Sequence, residues 1–135
     1  WKYKRCLVLA DGFYEWKSQP GKKTKTPFYI HMKDRQPCAI AGLWDTWNSP
    51  DGASIKTCAL ITTGPNELME MIHDRMPVIV HPRDYAKWLD PSPQTPDQLH
   101  PLIKPFPAEM MDAYPVSALV NKASNDKPEL VVPAK

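Results

Sequence analysis

No apolar run in this 135-residue sequence approaches the ~18 residues of a membrane-spanning helix, so the chain does not read as integral to a membrane. Its first residues include Lys2, Lys4 and Arg5, which is not the apolar opening of a signal peptide. The patterns G-x-x-x-x-G-K-[ST], G-x-G-x-x-G and G-x-S-x-G are all missing, which removes support for nucleotide hydrolysis and for the usual serine hydrolase chemistry. Cysteine is scarce and odd in number. Cys6, Cys38 and Cys58 show no C-x-x-C spacing, so neither a disulfide framework nor a zinc site is indicated. Each lies in an apolar stretch and reads as a reduced core thiol, which fits a cytoplasmic location. His31, His81 and His100 lack a partner at useful ligand spacing, so no metal site and no cofactor is expected.

Proline is what the sequence has in excess, with 16 of 135 residues against a usual share of ~5%. Internal proline breaks helices, which argues against a long-helix bundle or coiled coil and favours short strands, turns and short helices. The length suits one domain spanning residues 1–135, able to bury roughly 65–70% of its unfolded surface. Net charge is only +2, but residues 1–35 hold nine Lys/Arg and three Asp/Glu. Such a basic end attracts phosphates, and it equally suits a solvated surface with a basic loop at Gly21–Lys25.

Short apolar runs at Cys6–Leu9, Phe13–Lys17, Pro27–Met32, Cys38–Leu43 and Lys56–Thr62 predict closely spaced strands, and hence a meander curling into a barrel or sandwich. On Phe13–Lys17, alternation puts Phe13, Glu15 and Lys17 on one face and Tyr14 and Trp16 on the other. Pro65 suits the first turn of a helix carrying Leu68, Met71 and Ile72 on one face. Met76-Pro77 stops that helix near His73. A short strand at Val78–Val80 and a short helix at Arg83–Leu89 follow. Residues 90–107 read as a wrapped loop with one helical turn around Asp97–His100, and Val116–Val120 and Leu130–Val132 as late apolar segments. The fold class is α+β, mostly antiparallel strands in a barrel-like core with a few short helices.

Two places carry potential chemistry. In Asp11-Gly12-Phe13-Tyr14-Glu15-Trp16 a carboxylate stands among aromatics, where a partly buried acid can move protons; the same pattern suits a surface strand with a solvated Glu. In His73-Asp74-Arg75-Met76-Pro77 an imidazole able to shuttle protons near neutral pH precedes a guanidinium able to grip a phosphate; the same residues suit a helix C-terminus stabilised by basic side chains. Trp88 reads as core. Trp16, Trp44 and Trp47 lie at strand ends and could stack bases, although Trp44 reads rather as core packing.

These residues together resemble the SOS response-associated peptidase family, which senses abasic sites in single-stranded DNA. The resemblance runs through Arg5-Cys6-Leu7-Val8, Asp11–Trp16, Thr26-Pro27-Phe28-Tyr29-Ile30, Ala41-Gly42-Leu43-Trp44, Ile61-Thr62-Thr63, His73–Ile79, Pro115-Val116-Ser117, Val120-Asn121 and Pro128-Glu129-Leu130. It implies self-cleavage that exposes an N-terminal cysteine, whose amine and thiol trap the abasic-site aldehyde as a thiazolidine. It further implies catalytic roles for Glu15 and His73, and DNA contacts for Arg75, Trp16 and, as a further contact, Thr62. The partner implied is single-stranded DNA with abasic sites, close to the nucleoid in a bacterium. The family's Met-Cys-Gly-Arg start has no match here, and Cys6, Cys38 and Cys58 do not match the nucleophile. The expectation is therefore the C-terminal portion of such a domain, inactive in crosslinking by itself and exposing strand edges and apolar surface that the missing part would cover. Competing readings are a DNA-binding module without chemistry, an inactive structural remnant, and a small-molecule hydrolase using Glu15 and His73.

Overall fold

The computed structural model describes residues 2–134. In chain order the elements are β1 (Arg5–Ala10), β2 (Phe13–Lys17), β3 (Thr26–Met32), β4 (Cys38–Asn48), β5 (Ser54–Leu60), β6 (Thr62–Thr63), α1 (Glu67–Glu70), β7 (Met76–Pro77), α2 (Tyr85–Leu89), α3 (Pro96–Leu99) and β8 (Met111–Pro115), with 3₁₀ turns between the later ones. The strands assort into one sheet ordered β1-β4-β5, a second ordered β2-β3-β8, and a β6-β7 ribbon. Every ladder is antiparallel. The result is a mixed α+β fold with short helices, as the proline content predicts. Among the described residues no ladder joins the two larger sheets. No helix among them is long and apolar enough to cross a membrane.

One edge of β4 is shared by two partners. Gly42 to Asn48 pair with β5, whereas Ala39 and Ala41 bond to Val80 and Val78 at 2.9 and 2.8 Å. Between them the Ile61 carbonyl accepts from the Val78 amide at 2.8 Å. The chain can cross closely here because β4 presents only Ala39 and Ala41, both wholly buried. Around this seam lie the fully buried Ile30, Met69, Met76, Val78, Trp88, Leu99 and Met111. Helix α2 is tied to β1 through polar atoms as well. The Trp88 indole donates to the Cys6 carbonyl at 2.8 Å, and Arg5 Nε donates to the Trp88 carbonyl at 2.8 Å.

The structure departs from the sequence reading in several places. Helix α1 is one turn long, and Pro65 lies outside it. The cap is Asn66, whose side chain accepts from the Met69 amide. β4 and β5 run on to form an arm whose last residues are exposed on both faces. Trp44 is 36% and Trp47 54% exposed, so Trp44 is not core. Cys38 is buried and Cys6 half-buried, but Cys58 is exposed on the arm. Strand β8 has no counterpart in the sequence reading, because Met-Asp-Ala-Tyr-Pro holds no β-branched residue to signal a strand.

Gly12 reads as a turn residue, but its role is close approach. A Cβ there would stand 2.4 Å from the Ile30 carbonyl oxygen and 2.6 Å from the Tyr29 ring. Both neighbours belong to β3, whose pairing with β2 leaves no slack. Gly12→Ala is expected to destabilise the protein by about 1–3 kcal/mol, the usual range for overpacking, measurable by urea denaturation of the natural-length protein.

Tyr29 is 8% exposed, and burial, with Asp11, Tyr114 and Tyr14 beside it, pushes its phenol above the ordinary tyrosine value. A raised pKa in the folded state means a contribution that is intact below the unfolded value near 10 and lost as pH rises through the folded one. Denaturation midpoints should therefore fall above about pH 10, and fall less steeply in Tyr29→Phe.

Candidate functional site

Glu15 and His73 arrive at one place by independent routes. Glu15 stands in the middle of β2, opposite Phe28 of β3, and alternation gives it the same face as Phe13 and Lys17. His73 is placed from α1. Asn66 holds the helix start by accepting from the Met69 amide at 2.9 Å and donating to the Phe106 carbonyl at 2.7 Å. The Met69 carbonyl then accepts from both Ile72 and His73 amides at 2.8 Å, which ends the helix in a tight turn. Beyond it, Met76 and Pro77 enter the buried β7. His73-Asp74-Arg75 is thus a short loop pinned at both ends. It sets His73 Nε2 3.7 Å from Glu15 Oε2, with the two side chains 36% and 25% exposed.

The surroundings of the imidazole fit the tautomer with its proton on Nε2. That N–H faces the Glu15 carboxylate, and Nδ1 accepts from the Arg75 amide at 3.2 Å. A proton on Nδ1 would turn to the Arg75 carbonyl at 3.2 Å, beside Asp74 Oδ1, also at 3.2 Å, and would take the acceptor from the Arg75 amide. An imidazole so placed is suited to passing protons near neutral pH. Glu15 alongside can take or return one.

Arg75 turns back onto Thr62 of β6. Its Nε and Nη2 donate to Thr62 Oγ1 at 2.9 and 2.8 Å, and Nη2 donates also to the Thr62 carbonyl at 2.9 Å. Thr62 therefore fixes the guanidinium plane, and Nη1 lies outside these three bonds. The structure brings Glu15 to His73 and Thr62 to Arg75. Trp16 projects from the other face of β2 and donates its indole N–H to Asn121 Oδ1 at 2.6 Å.

Trp16 forms a wall between two clefts. One, of about 710 Å³, is lined by Trp16, Lys17, Lys25, Glu70, Met71 and His73, among others. The other, of about 560 Å³, is lined by Tyr14, Trp16, Lys127, Pro128 and Leu130, among others. Sequence reasoning assigns no part to Glu70 and no contact to Asn121. Asn121 lies 105 positions from Trp16, and no local pattern joins them. Lys17 and Lys25 enter that reasoning only as members of the basic end, and the place of Lys17 on the Glu15 face does not by itself show a cleft. Among the described residues no three His, Cys, Asp or Glu side chains gather as a metal-binding group.

Residues 1–123 match the family model for the SOS response associated peptidase. Abasic site processing protein YoqW of Bacillus subtilis is 50% identical over 128 residues, covering 95% of this chain and 57% of its own length. Abasic site processing protein HMCES of Gallus gallus is 35% identical over 98% of this chain and 44% of its own length. A crystal structure of a Bacteroides thetaiotaomicron protein superposes with a TM-score of 0.89 at 35% identity, over 99% of this chain and 58% of that one. The chain thus spans about half the length of the curated relatives it matches.

If Asn121 holds the Trp16 indole, Asn121→Ala should speed solvent exchange of that indole proton several-fold and leave the Trp88 indole proton protected. Hydrogen exchange followed by NMR on the indole signals reads both.

Proposed function

The chain belongs to the SOS response-associated peptidase family, and from that premise we propose that it is the C-terminal portion, in one domain, of a protein that binds single-stranded DNA and captures abasic sites. In this reading the nucleophile is an N-terminal cysteine exposed by self-cleavage and lying outside this sequence. Its amine adds to the ring-opened sugar aldehyde and water leaves, giving an imine. Its thiol adds to the imine carbon, and the nitrogen gains a proton. The thiazolidine so formed is the crosslink. An α-amine is a competent nucleophile here because its pKa lies near 8, more than two units below that of lysine.

Each step moves a proton, and this chain supplies groups placed to move them. His73 and Glu15 serve ring opening, loss of water and self-cleavage. Arg75, held flat by Thr62, offers its remaining donors to a phosphate, and Trp16 fills space beside unstacked bases. The observation that carries the reading is the 3.7 Å approach of Glu15 to His73 from segments 58 positions apart. The abasic site processing described for YoqW and HMCES supports it. A cytoplasmic protein working beside the nucleoid, were the source a bacterium, fits the same proposal. The other reading, DNA binding without chemistry, draws on Arg75 being exposed.

The test is a denaturing-gel assay of the natural-length protein on single-stranded DNA with one abasic site. A heat-stable adduct is expected. Its rate of formation should fall on the order of 10²–10⁴-fold in Glu15→Gln and in His73→Ala, the range for a lost general acid or base. Arg75→Ala should weaken binding about 10–100-fold, as for a charge-assisted contact. Binding without any adduct would overturn the capture chemistry in favour of the binding module.

A further inference from the structure

We propose that the cleft beside Glu15 and His73 carries the DNA backbone on one wall only. Lys17 and Lys25 are the phosphate contacts, and Glu70 and Asp74 form an opposite wall that keeps phosphates away. The proposal rests on the abasic-site reading above and adds the path of the strand next to the reacting sugar.

The cleft is about 710 Å³ and is lined by both lysines, both carboxylates, His73 and Trp16. Lys17 shares the Glu15 face of β2 two residues further on, about 6.6 Å along the strand. Thr26 lies directly opposite Lys17 in the ladder, so Lys25, the residue just before β3, enters the cleft beside Lys17. Among the described residues neither lysine has a salt-bridge partner, although two carboxylates line the same cleft. Glu70 closes α1, and the side chain of Asp74 is 90% exposed. The positive groups thus come from β2 and the residue before β3, and the negative ones from α1 and the loop after it. The cleft is lined also by Met71, 59% exposed, and by Trp16, surfaces a base or sugar can rest on. A polyanion entering such a cleft is drawn to the lysine wall and repelled from the acidic one, which fixes its path past His73.

Fluorescence anisotropy of the natural-length protein with a labelled single strand carrying a tetrahydrofuran abasic analogue tests this. The analogue has no aldehyde to trap, so binding is read alone. The Lys17→Ala/Lys25→Ala double variant should lose at least ten-fold in affinity. Its salt slope should shrink by about 1.4, the loss of two phosphate contacts on a single strand. The Glu70→Gln/Asp74→Asn double variant should bind several-fold tighter. Unchanged affinity and slope in the lysine variant, with Arg75→Ala still impaired, would overturn the lysine wall and leave the abasic-site reading standing. Unchanged or weaker binding in the acid variant would overturn the repelling wall. No binding by the unaltered protein would overturn the abasic-site reading itself, and the cleft's role with it.

Discussion

The site depends on a five-residue stretch, Met76 to Val80, running through the interior. Met76, Val78, Ile79 and Val80 are each at most 5% exposed, and backbone bonds hold the stretch to β4 and to Ile61. A buried peptide group without a partner is costly, so the register of this segment cannot drift. Pro77 needs no partner for a backbone N–H, because it has none. The stretch thereby fixes where Arg75 leaves the interior, and with it the loop back to His73. Thr62 sits opposite Pro77 in the same ribbon. The segment that positions the imidazole thus also brings the threonine to the guanidinium.

Glu15 is fixed by the other sheet. Its strand has β3 on one side, and behind β2 the rings of Tyr14, Tyr29 and Tyr114 lie within 6 Å of one another along the series. Such packing contributes beyond buried area and holds the strand rigid from the side away from the cleft. Two separately braced elements thus set the Glu15–His73 gap, and neither brace passes through the site. That gap, 3.7 Å, is longer than a hydrogen bond. A small closure, or one atom of a bound substrate between the groups, would engage both. The β4–β5 arm is different in kind. Its outer residues are exposed on both faces, and a two-stranded ribbon has little stability of its own. Trp47, Ile55 and Leu60 are exposed there.

Local pattern made part of this legible. The strands of β1 to β5 follow from short apolar runs bounded by turn residues, and Trp88 reads as core. Glu15 and His73 stood out because a carboxylate among aromatics and a His-Asp-Arg before Met-Pro are unusual neighbours. Their meeting was not legible from composition or spacing, because it depends on the β6–β7 ribbon and on where β4 exchanges one partner for another. The extent of β4 was misjudged because Trp44, Thr46 and Trp47 continue a strand pattern that burial does not enforce. Strand β8 is a strand because β3 offers it an edge, a tertiary cause without a local signal. The exposure of Cys58 has the same origin, since an apolar run on an arm looks like an apolar run in a core.

The three cysteines bear on how the proposed chemistry divides between this chain and the rest of the protein. A thiol must reach its anionic form to be a strong nucleophile. Burial pushes the Cys38 thiol up, and burial with Cys58 nearby pushes the Cys6 thiol up, so both are held in the unreactive state. Cys58 is exposed, but it stands on the arm opposite Trp44, and neither cleft beside Trp16 includes it. None of the three meets Glu15 or His73. What the chain offers at that point is a carboxylate, an imidazole and a guanidinium held flat by a threonine. Groups of this kind can move protons and hold an anion, and no thiol of this chain stands among them. On the proposed function, the attacking atom therefore comes from a different segment.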